Sequence, residues 1–166
     1  MRVLGIDPGV AAMGYAVVER ARGKIELVTF GVMRTPAKES QARRLMALRS
    51  GLVGIAREHA PDVVAVERLF FTANVKTAMA VGQASGVALA TVAEAGLEVS
   101  DYTPNEVKQS VVGYGGATKA QVQMMVAALL GLDEPPRPPD AADACALAIC
   151  HLNRSGLRDA IGRATG

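Results

Sequence analysis

Residues 2–7 read Arg-Val-Leu-Gly-Ile-Asp, a short apolar run that ends on an acid. Such a run is typical of a buried β-strand. Two further strand patterns follow at Tyr15–Glu19 and Ile25–Met33, and residues 20–24 (Arg-Ala-Arg-Gly-Lys) join them as a hairpin turn. Three consecutive antiparallel strands are therefore predicted at the start of the chain.

The rest of the chain alternates between helical and extended patterns. Ser40 is the expected N-cap of a helix from about 41 to 59, and Pro61 ends it before a buried strand at Val63–Glu67. The later elements are a helix over Asn74–Ala95, a strand over Val99–Tyr102, two helices that open with capping boxes at Thr103 and Thr118, and a last helix from about Pro139 to Asn153. This order predicts an α/β fold with a five-stranded mixed sheet, in which parallel strands follow the three antiparallel ones and helices flank the sheet.

The length of 166 residues, half of them hydrophobic, suits one sizeable core. We expect one domain over residues 1–154 and a short frayed tail over residues 155–166. No segment approaches the roughly 18 uncharged apolar residues of a membrane-spanning helix, so a cytoplasmic protein with no membrane partner is expected. Cys145 and Cys150 are predicted to be reduced core residues, and His151 to have a packing or surface role.

Four acids interrupt apolar sequence. Asp7 and Glu67 each close a predicted strand, and Asp140 and Asp143 lie on one face at the start of the last helix. Taken singly, Asp7 could be a turn residue, Glu67 a surface residue and Asp140 a complement to the helix dipole. Taken together, they can meet at the carboxyl ends of neighbouring strands, where sites assemble in open α/β sheets. Carboxylates without His or Cys suit Mg²⁺, and two such ions can support hydrolysis of a phosphodiester.

The overall charge becomes more informative if these four acids form a metal site. The chain has 18 Lys and Arg against 16 Asp and Glu, a net charge of +2. Without the four acids, the remainder of the molecule carries about +6, which suits a polyanionic partner. An ordinary basic protein stays open on charge alone.

Phe70 and Phe71 are adjacent aromatics just after Glu67, in a chain with three Phe in all. Adjacent side chains of an extended segment point in opposite directions, so at least one could be exposed and stack on unpaired bases. The alternative is that a loop covers both. Nearby cations that could contact DNA phosphates, or could simply be solvated, are Arg68, Lys76, Lys108 and Lys119.

Four motifs together resemble the RuvC family of Holliday-junction resolvases. They are residues 5–9 (Gly-Ile-Asp-Pro-Gly), 65–70 (Ala-Val-Glu-Arg-Leu-Phe), 107–113 (Val-Lys-Gln-Ser-Val-Val-Gly) and 140–144 (Asp-Ala-Ala-Asp-Ala). The resemblance runs in order from residue 2 to about residue 153. It implies an RNase H-like fold, a homodimer, and Mg²⁺-dependent nicking of two like strands of a four-way DNA junction in recombination and repair, leaving 5′-phosphate and 3′-hydroxyl ends.

The resemblance also implies roles for particular residues. The family pattern makes Asp7, Glu67, Asp140 and Asp143 the catalytic acids, with two Mg²⁺ ions in the site and Mn²⁺ as a substitute. By the same pattern Phe70 inserts at the junction centre, and Lys108 and Lys119 lie near the scissile phosphate. A branch-migration complex of RuvA and RuvB type proteins is the implied partner. Ser85 departs from the pattern, because relatives often carry Arg there.

The sequence also leaves two alternative functions and the position of the dimer interface open. Asp7-Pro8-Gly9 resembles the phosphate loop of actin-like ATPases, although those proteins need two such domains to enclose a nucleotide. The protein could also be a junction-binding module without activity. The Ala- and Gly-rich helical segment over residues 78–95 is the candidate dimer interface, with packing inside one subunit as the alternative.

Overall fold

A computed structural model describes residues 1–68 and 75–165, without the side chains of residues 75, 76 and 157–165. The strands are β1 (Arg2–Asp7), β2 (Ala12–Ala21), β3 (Lys24–Arg34), β4 (Val63–Glu67) and β5 (Glu98–Tyr102). The helices are α1 (Gln41–His59), α2 (Val75–Glu94), α3 (Pro104–Val112), α4 (Lys119–Leu130) and α5 (Pro139–Thr165).

The five strands form one mixed sheet in the order β3-β2-β1-β4-β5. The pairs β1·β2 and β2·β3 are antiparallel, whereas β1·β4 and β4·β5 are parallel. The predicted architecture is therefore confirmed. In the parallel register Ile6 lies opposite Val66, so β1 and β4 end side by side.

Local signals in the sequence place the helix starts and the hairpin correctly. The Ser40 side chain accepts a hydrogen bond from the Arg43 backbone N–H, and Thr103 and Thr118 both form the predicted capping boxes. The β2–β3 turn has positive φ at both of its central residues, Arg22 and Gly23. That combination matches a two-residue hairpin turn.

Helices cover both faces of the sheet. Alternate residues of β1 point to opposite faces, so Val3 belongs to the core beneath α3, α4 and α5, and Leu4 and Ile6 to the core beneath α1 and α2. Cys145 and Cys150 are buried free thiols, as predicted. His151 is also buried, and its Nδ1 lies 2.8 Å from the Tyr102 hydroxyl, which confirms its packing role.

The last helix is longer than predicted. The sequence pattern ends it near Asn153 and leaves a frayed tail from 155, but the helical backbone of α5 runs to Thr165. Arg20 anchors the helix just before this extension, because its guanidinium donates to the Leu152 carbonyl at 2.7 Å and to Asn153 Oδ1 at 2.9 Å. Gly156 weakens a helix by only about 1 kcal/mol relative to Ala, which such contacts can offset.

The helices of the described ranges include none with both the length and the hydrophobicity needed to cross a membrane.

Candidate active site

The four predicted acids line one pocket at the carboxyl edge of the sheet. Asp7 and Glu67 occupy the last positions of neighbouring parallel strands, and α5 contributes Asp140 and Asp143 from its first turns. The pocket has a volume of about 460 Å³. Its lining consists of Asp7, Glu67, Pro104, Val107, Lys108, Lys119, Val122, Asp140, Asp143, Ala146 and Leu147.

Two glycines let α5 approach the sheet closely enough to bring its acids beside Asp7. A Cβ atom on Gly5 would lie 2.0 Å from the Ala144 carbonyl oxygen, and one on Gly14 would lie 2.1 Å from the Asp140 carbonyl oxygen. No side chain fits at either position. A glycine inside a strand often marks close backbone approach, but neither glycine is among the predicted site residues.

Charge is crowded in this pocket. Burial, followed by the charges of Asp143, Glu67 and Asp140, raises the pKa of Asp7 from 3.8 to about 7. Burial and Asp143 also raise the pKa of Glu67. Full ionisation of the four acids is therefore unfavourable without a compensating cation.

Lys119 supplies part of that compensation. Its Nζ lies 2.5 Å from Oδ2 of Asp143, although 24 residues separate the two in sequence. Burial alone would lower the pKa of Lys119, but the hydrogen bond and charge of Asp143, with the charges of Asp7 and Asp140, raise it. Lys108 lines the same pocket, so the structure brings both predicted lysines to the acids.

The donor set matches a hard divalent cation, because every acidic side chain in the pocket offers oxygen. Like-charge crowding at Asp7 is a second reason for a cation to bind. Within residues 1–68 and 75–165, however, no three His, Cys, Asp or Glu side chains are yet close enough together to hold one. The residues fit a metal by their chemistry, because all four acids that line the pocket offer carboxylate oxygens.

Of the other predicted DNA-contact residues, the structure describes the side chain of Arg68 alone. Arg68 pairs with Asp101 of β5 and lines a different pocket. Lys76 falls in α2, but its side chain is outside the description. Phe70 and Phe71 are also outside the described residues.

The predicted interface helix, α2, has one face in the core and another that is open. Ala84, Ala88 and Val92 are buried against the sheet, whereas Met79 is 62% exposed. A Cβ atom on Gly82 or Gly86 would meet nothing within 4 Å. Ser85 is only 4% exposed.

Comparisons with known proteins agree on one family. The family model described as crossover junction endodeoxyribonuclease RuvC matches residues 3–151. A relative of that name from Chloroflexus aggregans is 56% identical over 151 residues, which cover 91% of this chain and 92% of the relative. The Thermus thermophilus RuvC structure is similar with a TM-score of 0.87 and 36% identity, covering 95% of this chain and 96% of that one. T. thermophilus RuvC in complex with a Holliday junction substrate gives the same TM-score at 34% identity, with the same coverage.

Proposed function

The chain belongs to the RuvC family of crossover junction endodeoxyribonucleases, and we propose that it resolves four-way (Holliday) DNA junctions with the acid pocket described above. It has the RNase H-like fold and is an endonuclease. The observation that carries the proposal is convergence. Three segments that are far apart in sequence deliver Asp7, Glu67, Asp140 and Asp143 to one pocket, and two lysines line it with them.

The family is metal-dependent, and the pocket suggests which residues would hold the metal. We assign the four acids as ligands of two Mg²⁺ ions, with Mn²⁺ as a substitute. When bound, Mg²⁺ would supply activation of a water and neutralisation of charge at the scissile phosphate. Asp7 is central to the set, since its pKa responds to each of the other three acids.

The protein side chains have complementary tasks. The acids must be ionised to accept a cation, so protons compete with the metal for Asp7 and metal binding weakens as the pH falls. Lys108 and Lys119 offer ammonium groups to the phosphate that enters the pocket, and such charge-assisted hydrogen bonds are strong. Val107, Val122 and Leu147 give the pocket an apolar wall, which strengthens electrostatic interactions inside it. The products would carry 5′-phosphate and 3′-hydroxyl ends.

A junction has two like strands to cut, so we propose that two copies of the chain act together. The open face of α2, with Gly82, Gly86 and the exposed Met79, is the surface that we assign to the homodimer. Sedimentation of the full chain should therefore give twice the monomer mass. Substitution of Gly82 by Arg should shift it to the monomer; an unchanged mass would move the interface elsewhere.

Phe70 is assigned to the junction centre by its place in the family motif. Phe70→Ala should keep junction binding and lower the cleavage rate about tenfold, since stacking on one base contributes about 1–3 kcal/mol. An unchanged rate in a single-turnover assay would remove Phe70 from the DNA interface. By family resemblance we also propose docking to RuvA and RuvB type proteins, which co-purification would test, and a cytoplasmic location.

Cleavage of a synthetic mobile four-way junction tests the proposal, with a linear duplex of the same sequence as its control. We expect paired symmetric nicks in the junction alone with Mg²⁺, and none with a chelator. Tight junction binding without nicks in Mg²⁺ or Mn²⁺ would favour the binding module instead. Equal affinity for junction and duplex, together with ATP turnover, would favour the nucleotide-binding alternative.

A further inference from the structure

The ion pair inside the acid pocket leads to a proposal about the order of events there. We propose that Lys119 is an exchangeable counter-cation, which neutralises Asp143 in the free protein and moves to a DNA phosphate when a divalent cation takes its place. This inference rests on the proposed function, because it takes the four acids as the metal site. It adds that the metal and the junction bind cooperatively through one lysine side chain.

The contact geometry supports exchange. Lys119 Nζ and Asp143 Oδ2 are 2.5 Å apart, so the ammonium covers an oxygen that a metal would need. The Lys119 side chain is 61% exposed and the Asp143 side chain 29% exposed. A flexible, solvated lysine can leave such a contact at a modest free-energy cost, since exposed ion pairs are worth little.

A capping box fixes the backbone at Lys119, whereas the side chain is largely exposed and ends in the ion pair with Asp143. Thr118 caps α4, its hydroxyl accepts a hydrogen bond from the Gln121 backbone N–H, and the Gln121 side chain accepts one from the Thr118 backbone N–H. Lys119 is the first residue of the helix that this capping box starts. The ammonium can therefore change partners without any change in the fold.

Lys119 also affects more than one acid. Its charge lowers the pKa of both Asp7 and Glu67, against the larger effect of burial. Lys119 therefore favours the ionised form of these acids, as a bound metal ion would.

The exchange of Lys119 couples metal binding to junction binding. A divalent cation and Lys119 compete for Asp143, while Asp143 and a DNA phosphate compete for Lys119. Each ligand of the pocket therefore favours the other, and the factor by which the junction tightens metal binding equals the factor by which metal tightens junction binding. Removal of the ammonium should strengthen metal binding in the absence of DNA and weaken this coupling.

Lys108 offers a matched control. It lines the same pocket, but in the part of the chain that the structure describes it forms no ion pair with any of the four acids. Lys108→Met therefore removes one positive charge without releasing a carboxylate. Lys119→Arg keeps the charge and serves as the rescue variant.

The experiment is a calorimetric titration of Mg²⁺ into the full chain without DNA. Lys119→Met should bind Mg²⁺ about fivefold more tightly than the native chain, as expected for loss of one competing exposed ion pair. Lys108→Met and Lys119→Arg should stay within about twofold of the native value. Circular dichroism checks that each variant is folded, and Lys119→Gln replaces Lys119→Met if the latter is not.

The coupling is measured separately, as junction affinity by fluorescence anisotropy in Ca²⁺ and in chelator, with gels to exclude cut DNA. The native chain should gain more affinity from the metal than Lys119→Met does. Equal Mg²⁺ affinity of the native chain and a folded Lys119→Met variant would overturn the exchange while leaving the metal site intact. Absence of Mg²⁺ binding by the native chain, with and without junction, would instead overturn the metal site itself.

Discussion

Two charged pockets of this protein differ in how they treat their acids. The acid pocket, about 460 Å³, gathers like charges, and the pKa of Asp7 rises to about 7. The ion-pair pocket, about 790 Å³ and lined by Arg68, Asp101, Glu106 and Arg154 among others, matches each acid with a donor. There Arg68 lowers the pKa of Asp101, and the Thr103 backbone N–H lowers that of Glu106. A choice by volume would favour the ion-pair pocket. The unfavourable electrostatics of the acid pocket instead favour it as the one that needs a ligand.

The largest effect on cleavage should come from Asp7→Asn in the acid pocket, and Asp101→Asn in the ion-pair pocket is its comparison. Asp7→Asn should lower junction cleavage by more than about 10³-fold while junction binding persists, because loss of one group that stabilises developing charge already costs about 10²–10³. Asp101→Asn should leave cleavage within about threefold of the native rate, since an exposed ion pair contributes little. Single-turnover cleavage and gel-shift assays measure both. Cleavage by Asp7→Asn at the native rate would contradict the assignment of the acid pocket.

A second test changes the position of the acids and keeps their identity. Gly14→Ala puts a Cβ against the Asp140 carbonyl, so the start of α5 must shift away from β2. Displacement of a reactive group by about 1 Å can lower a rate about 10²-fold, and a loss of that order is expected here. The control is Gly54→Ala in α1, where a Cβ meets nothing within 4 Å. If Gly14→Ala cuts as fast as Gly54→Ala, the close approach of α5 is not needed for activity.

The two pockets should also have opposite pH signatures in the metal-free protein. The folded pKa of Asp7 lies above its unfolded value, so the folded state retains a proton that the unfolded state has released. The contribution of Asp7 to native stability therefore falls as the pH rises from about 4 to about 7, and the stability advantage of Asp7→Asn grows over that window and then levels off.

Asp101 behaves in the opposite way, because its folded pKa is lowered. Its contribution is present above its unfolded pKa and lost as the pH falls through the folded one. Asp101→Asn should therefore be less stable than the native chain at neutral pH, with a smaller change than that of Asp7→Asn, and equally stable in acid. Urea unfolding in the presence of a chelator measures the free energy of unfolding of the native chain, Asp7→Asn and Asp101→Asn at each pH. If the difference in unfolding free energy between Asp7→Asn and the native chain did not change with pH, the crowding of charge around Asp7 would be contradicted.

The features predicted correctly from the sequence are those that depend on neighbouring residues. The caps at Ser40, Thr103 and Thr118 are local hydrogen bonds, and the strand that ends at Asp7 follows from a six-residue pattern. The convergence of the acids could be predicted too, because parallel strands and a helix N-terminus are sufficient to bring them to one edge.

The features that could not be predicted from the sequence depend on contacts between distant segments. Arg20 contacts α5 at Leu152, 132 residues later in the chain, and nothing in the polar sequence near Asn153 indicates that partner. The pairing of Arg68 with Asp101, and that of Lys119 with Asp143, likewise emerge only when β5 and α4 are in place. A single lysine or arginine in sequence is read as a free cation, and the fold decides which acid it meets.

Anomalous diffraction from crystals of the full chain soaked in Mn²⁺ tests the central claim most directly. We predict Mn²⁺ in the acid pocket, within ligand distance of Asp7 and of at least one acid from α5, and no Mn²⁺ beside Arg68 and Asp101. Mn²⁺ bound only in the ion-pair pocket, or no ion in the acid pocket at a concentration that supports cleavage, would contradict the account.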